Sequence, residues 1–140
     1  MEESNDLIQE RLKKLGRLKD AGVEPYSSGF EVKDRAADII AEYGDVEKED
    51  LAAADRHCTV AGRMIALRNF GKTAFSHIQD ATSKIQVYFS KDVILGNPDL
   101  FKNLDIGDII GITGPLFRTK TNELTIKIEV FTILTKSLRP

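Results

Sequence analysis

Two hydrophobic periods divide the chain. Up to about residue 55 apolar side chains recur at helical spacing, and from Cys58 onward they alternate with polar ones. In the first part, Leu7, Ile8, Leu12, Leu15 and Leu18 form one stripe of a helix expected over Asp6–Ala21. Ser4 or Asn5 can cap its start, and Gly22 with Pro25 ends it. Val23–Phe30 reads as an irregular connector broken by Pro25 and Gly29. Ala36, Ile39, Ile40 and Tyr43 then predict a helix over Lys33–Tyr43, closed by Gly44, and a short acidic helix follows around Glu47–Ala54.

The alternating part predicts five strands: Cys58–Asn69, Lys72–Asp80, Lys84–Lys91, Asp108–Phe117 and Glu123–Leu134. Gly62 marks a bend or bulge in the first. Phe70-Gly71, Ala81–Ser83 and Thr119–Asn122 supply turns. A short helix is expected at Asn97–Leu104, with Asn97 as cap and Pro98 at the first helical position. Three strands, a helix and two strands is the order of a five-stranded Greek-key barrel of the OB type. The expected fold is therefore mainly β: an OB-fold barrel over 56–140 carrying an N-terminal helical extension over 1–55. Barrels of this kind bind ligands on the face of strands two and three, between the 1–2 and 4–5 loops.

That face can be read from alternation. Ile78 belongs inside, which turns Phe75, His77 and Gln79 outward; Ile85, Val87 and Phe89 belong inside, which leaves Gln86 and Tyr88 out. An outward phenylalanine is a stacking platform for an unpaired base. A neighbouring glutamine can donate and accept along a base edge. Arg68 and Lys72 flank the first turn, while Arg118 and Lys120 enter the turn between strands four and five, so cations bound both sides of the face. Alternation alone leaves two bland alternatives open: Phe75 packs beneath a loop or the helices, and Gln86 merely decorates the sheet. Lys13, Lys14 and Arg17 form a second basic arc on the first helix, which is equally the wet side of an amphipathic helix.

Charge changes the picture more than its total suggests. The formal net charge is −2, but residues 1–55 hold 8 Lys/Arg against 15 Asp/Glu and residues 56–140 hold 12 against 7. An acidic helical part thus masks a basic barrel of net +5. With 41% hydrophobic residues there is material for one core. No apolar run approaches the roughly 18–20 residues of a membrane span, so no membrane partner is expected. One cysteine, Cys58, forms no internal disulfide and suits a cytoplasmic setting. His57 and Cys58 are sequence neighbours that a strand would turn to opposite faces, His77 stands apart, and no phosphate-cradling glycine loop occurs. Neither a catalytic residue nor a metal site is expected.

IQERLKKLGRLKDAGVEPY, VAGRMIALRNFGKTAFSHIQD, KIQVY, LDIGDIIGITG and LFRTKTNELTIKIEVFTILTKSLRP together resemble bacterial-type class II lysyl-tRNA synthetase over nearly the whole chain. The resemblance implies a tRNA partner with a uridine-rich, lysine-type anticodon. It further implies that Phe75 stacks on the central uridine, Gln86 bonds its edge, Arg68 contacts the same nucleotide or its phosphate, and Glu123 helps to read a neighbouring uridine. Asn122 stands where that family usually has glycine, and Ala81 and Ser83 occupy positions often filled by glycine. The chain stops where the family continues into its catalytic domain. The resemblance therefore implies no ATP or magnesium site and no catalysis here, a monomer or weak dimer for this chain, and a homodimeric lysine–tRNA ligase as the longer protein. The expected function is anticodon binding; a generic single-strand binder or a protein-interaction OB module are the alternatives.

Overall fold

A computed structural model describes residues 8–13, which are helical, and residues 30–137. The rest of the expected first helix, with Lys14 and Arg17 of its basic arc, lies outside the described residues, as does most of the connector. The described elements from Phe30 onward are α1 (Ala36–Tyr43), α2 (Lys48–Ala54), β1 (His57–Asn69), β2 (Ala74–Gln79), β3 (Lys84–Phe89), α3 (Lys91–Gly96), α4 (Pro98–Lys102), β4 (Ile109–Arg118), β5 (Leu124–Lys127) and β6 (Val130–Thr135).

The strands close into the expected ring. β1 is 13 residues long and serves two partners. Its first half pairs antiparallel with β4, from His57 opposite Pro115 to Arg63 opposite Ile109. Its second half pairs with β2, from Arg63 opposite Gln79 to Asn69 opposite Ala74. β2 pairs with β3, β3 runs parallel to β5, and β5 returns antiparallel to β4. Closure leaves no open edge along the ring and turns alternation into an inside and an outside. Val60, Met64, Val87, Phe89, Ile110, Ile112, Ile126 and Ile133 fill the interior, each fully buried.

Three expectations need correction. The bulge in β1 falls at Ile65, between Met64 and Ala66, rather than at Gly62. Gly62 serves close approach instead: a Cβ there would meet the Gln79 backbone at 3.0 Å, where β1 changes partners. The fifth strand is not continuous. At Ile128 and Glu129 the ladder is interrupted, with the Ile128 N–H donating to the Tyr88 carbonyl of β3 and the Glu129 N–H to Thr113 of β4, and β6 then pairs with β4. β4 passes so close to this point that any side chain at Gly114 would collide with the Lys127 carbonyl. The helix between β3 and β4 begins earlier and is broken in two. Ser90 caps α3 through the Val93 N–H, and Pro98, which disfavours helical backbone at Asn97, forces the break (φ −139°, ψ 54°). Asn97 precedes α4 as expected, but its side chain donates back to the Val93 carbonyl rather than capping forward.

The helical part is fastened to the barrel at both ends of α1. Its cap residue Arg35 makes no side-chain cap bond. The β2–β3 turn caps from outside: Asp80 accepts from the Ala36 N–H at 2.8 Å and Thr82 from Ala37 at 3.1 Å. At the other end Arg118 donates to the Tyr43 and Gly44 carbonyls. A carboxylate therefore meets the positive end of the helix dipole and a guanidinium its negative end. Ala36, Ile39 and Leu51 join the same core as the strands. Burial alone would push the Asp80 carboxyl up, but bonds from Ala36, Thr82 and Ser83 outweigh it and hold it below its ordinary value. After β6 the chain is pinned by Lys136, whose buried ammonium bonds Asp105 at 2.6 Å, Asp108 at 2.7 Å and the Asn103 carbonyl at 2.7 Å.

Candidate nucleic-acid interface

Register places the outward residues in facing pairs. Phe75 lies opposite Tyr88, His77 opposite Gln86, and Gln79 opposite Lys84. Phe75 and Tyr88 are half-buried, their rings 4.8 Å apart and inclined by 38°. The row extends in both directions. Phe70, at the β1–β2 turn, sits edge-on to Phe75 at 6.3 Å, and Phe117 of β4 sits edge-on to Tyr88 at 5.8 Å. Phe70 is 60% exposed, with the Arg68 guanidinium 5.8 Å from its ring centre. An open cleft of about 670 Å³ runs over this row. An exposed aromatic surface of this length is costly in water unless something covers it.

The polar groups converge at one end of the row. Gln86 faces the cleft as alternation requires, yet only 8% of it is exposed, and its amide lies against Glu123. With its amide nitrogen turned toward that carboxylate, Gln86 donates to both Glu123 oxygens, at 2.9 Å to Oε1. His77 Nε2 lies 3.1 Å from the same Oε1. The turn before β5 aims Glu123 at this spot. Asn122 adopts left-handed backbone (φ 66°), its N–H bonds the Thr119 carbonyl, and the Thr119 N–H bonds the Glu123 carbonyl. Asparagine tolerates that conformation, so the turn keeps the form a glycine would give it.

Arg68, Phe75, Gln86, Tyr88, Lys120 and Glu123 all line the main cleft. Arg118 lines it too, but its guanidinium is turned to the protein: Nε bonds the Val46 carbonyl, Nη1 that of Asn122, and Nη2 those of Tyr43 and Gly44. His77 opens instead on a neighbouring cleft, and Lys72 is exposed on the turn outside both. Lys48 of α2, Phe70 and Phe117 belong to the site and were not among the expected residues. Alternation along β4, with Ile112, Gly114 and Leu116 buried, carries the signal for Phe117. Phe70 looks like a turn residue, and Lys48 reaches the cleft only through the packing of α2.

An OB-fold nucleic acid binding domain model, the tRNA anticodon type, matches residues 58–134, more than half of the chain. The chain belongs to this family. The lysine–tRNA ligases of Staphylococcus aureus strains Mu3, Mu50 and N315 are each 43% identical to it over 142 aligned residues, covering 99% of this chain. The chain spans only 29% of the length of these relatives. The family match covers Phe75, His77, Gln86, Tyr88 and Glu123, and of the named cleft residues Lys48 alone lies outside it. Among the described residues, no cluster of His, Cys, Asp and Glu could hold a metal ion, and no helix is long and apolar enough to cross a membrane.

Proposed function

We propose that this chain binds a tRNA anticodon loop of the lysine type and reads its central uridine in the cleft over Phe75 and Tyr88. The observation that carries the reading is Gln86: a nearly buried amide at the floor of an open aromatic cleft, held by a carboxylate. A generic single-strand binder needs stacking surfaces and cations alone. A fixed amide adds a donor–acceptor pattern that distinguishes one base from another.

The chemistry follows from the edges of the pyrimidines. Uracil presents N3–H as a donor between two carbonyl acceptors, whereas cytosine presents a lone pair at N3 beside an amino donor. With its nitrogen held by Glu123, Gln86 offers its carbonyl to N3–H; cytosine would set a lone pair against that oxygen. Glu123 accepts only, and serves a donor on an adjacent uridine edge. Phe75 supplies the stacking face, and Arg68 a cation for the same nucleotide. Lys72 and Lys120, exposed on the two bounding turns, contact backbone phosphates. Arg118 acts through structure, holding α1 and the β4–β5 turn.

In the longer ligases named above, such a domain would orient the tRNA for aminoacylation, and the lysine specificity of this chain is inferred from that relationship. ATP, magnesium and the catalytic step then belong to other parts of the longer protein, which would act as a homodimer in the cytoplasm; this chain alone would be a monomer or weak dimer. Binding of a fluorescent lysine-type anticodon stem-loop tests the reading. Phe75→Ala should weaken it by roughly 1–3 kcal/mol, the usual worth of one stacked base. An unchanged affinity would sink the stacking role.

A further inference from the structure

His77 lies opposite Gln86 across β2 and β3, and both side chains reach the same carboxylate. Gln86 donates its amide nitrogen to both Glu123 oxygens, and His77 Nε2 stands 3.1 Å from Oε1. A carboxylate only accepts, so Nε2 carries the hydrogen in this contact. The turn before β5 fixes the Glu123 backbone: its carbonyl accepts from the Thr119 N–H at 3.1 Å, and its N–H donates to Thr119 Oγ1 at 3.2 Å. The turn does not fix the side chain, which is 47% exposed and has rotamer freedom to lose. Two side chains from neighbouring strands hold it in place.

We propose that His77 is a positioning residue for base choice. It holds the Glu123 carboxylate against the Gln86 amide, and so fixes which of that amide's two groups the cleft presents. The inference rests on the uridine reading above and deepens it. An amide turns by half a circle at little steric cost, since its oxygen and nitrogen are nearly the same size. One orientation offers a carbonyl to the uracil N3–H; the other offers an N–H to the cytosine N3 lone pair. The carboxylate tells the two apart, attracting the amide nitrogen and repelling the amide oxygen. Gln86 is nearly buried, so little water is at hand to take the carboxylate's place. Glu123 can swing into solvent unless a second donor retains it, and His77 is that donor. His77 lines the neighbouring cleft and not the aromatic one, so it acts on the stacked base through Glu123.

The test uses the 140-residue chain and two lysine-type stem-loops that differ only in the central base, uridine or cytidine. The readout is the ratio of their affinities; a mere defect of folding weakens both loops alike and leaves the ratio unmoved. His77→Leu keeps bulk on the outer face of the barrel and removes the donor. It should lower the uridine preference about two- to tenfold, the usual worth of one such bond, chiefly by tightening the cytidine complex. His77→Gln sets an amide nitrogen near the position of Nε2 and should restore most of the preference. The inference is overturned if the leucine variant keeps the wild-type ratio, or if the glutamine variant loses it as leucine does. The underlying reading fails separately: there the wild-type chain binds both loops alike, and this inference falls with it.

Discussion

Replacing Arg118 by methionine keeps the aliphatic stem and removes the guanidinium that joins the end of α1, the loop that follows it and the β4–β5 turn. Four carbonyls lose a donor: Tyr43 at 3.0 Å, Gly44 at 2.7 Å, Val46 at 2.9 Å and Asn122 at 3.2 Å. A bond from a charged donor contributes about 1.5–3 kcal/mol when the acceptor is left dry. Here a cleft of about 210 Å³ borders Gly44, Val46, Arg118 and Asn122, so water can reach the stranded oxygens. The loss per carbonyl then falls toward the lower end of the ordinary range, about 0.5–1 kcal/mol, and four give about 2–4 kcal/mol. At this chain length each kcal/mol shifts Tm by roughly 3–4 °C, so Arg118→Met should melt roughly 6–16 °C lower by circular dichroism. The same variant separates a structural arginine from a phosphate contact. With its N–H groups directed at carbonyls, Arg118 neutralises no phosphate, and the salt dependence of stem-loop binding should not change in Arg118→Met. Lys120→Ala, by contrast, should reduce the slope by about 0.7. A Tm within about 2 °C of wild type, or a reduced salt slope in Arg118→Met, would refute this assignment.

Other parts of the fold make their own predictions. Asp80 is held below its ordinary value of 3.8, so its stabilising contribution is full above the unfolded value and is lost as pH falls through the folded one. Asp80→Asn should therefore destabilise by about 0.5–1.5 kcal/mol near neutrality, as loss of a helix cap does, with the difference vanishing in acid; urea unfolding from pH 7 to pH 2 reads this. Lys136→Met leaves the fully buried Asp108 carboxylate without its ammonium and should cost about 3–5 kcal/mol by urea denaturation. Cys58 is fully buried, and burial pushes its thiol up to about 11. A thiol reagent at pH 8 should leave it untouched in the native protein and modify it only on unfolding; rapid native labelling would contradict that burial.

The barrel was legible because its signals are local. A period of two, with Ile78, Ile85, Val87 and Phe89 inside, fixes which face Phe75, Gln86 and Tyr88 share, and closure of the ring follows from strand order. What alternation could not supply was depth. It turns Gln86 outward, but gives no sign that this side chain is nearly buried or that its amide meets Glu123, 37 positions later, beside the left-handed Asn122. Arg118 shows the same limit. Its position at a turn beside the binding face suggests a phosphate contact, whereas its partners come from Tyr43, Gly44 and Val46, more than 70 residues away. The break at Ile128 and Glu129 does leave a mark in the pattern: the buried positions are Ile126 and Ile128 before it and Phe131 and Ile133 after it, a shift of phase at the adjacent apolar residues Val130 and Phe131. Pro98 likewise announces a break that the apolar spacing around it obscures.

Reading a uridine, rather than merely gripping a single strand, requires the cleft to tell one pyrimidine from the other. The most direct measurement is a pair of anisotropy titrations with lysine-type stem-loops that differ only in the central anticodon base, uridine or cytidine, at one salt concentration. Setting cytidine's N3 lone pair against the fixed Gln86 carbonyl should weaken binding by at least about 1–3 kcal/mol, the cost of leaving a buried polar group unpaired. Gln86→Ala should bring the two affinities together. Equal affinities of the wild-type chain for both loops would contradict the account, leaving a basic, aromatic cleft that holds single strands without reading them.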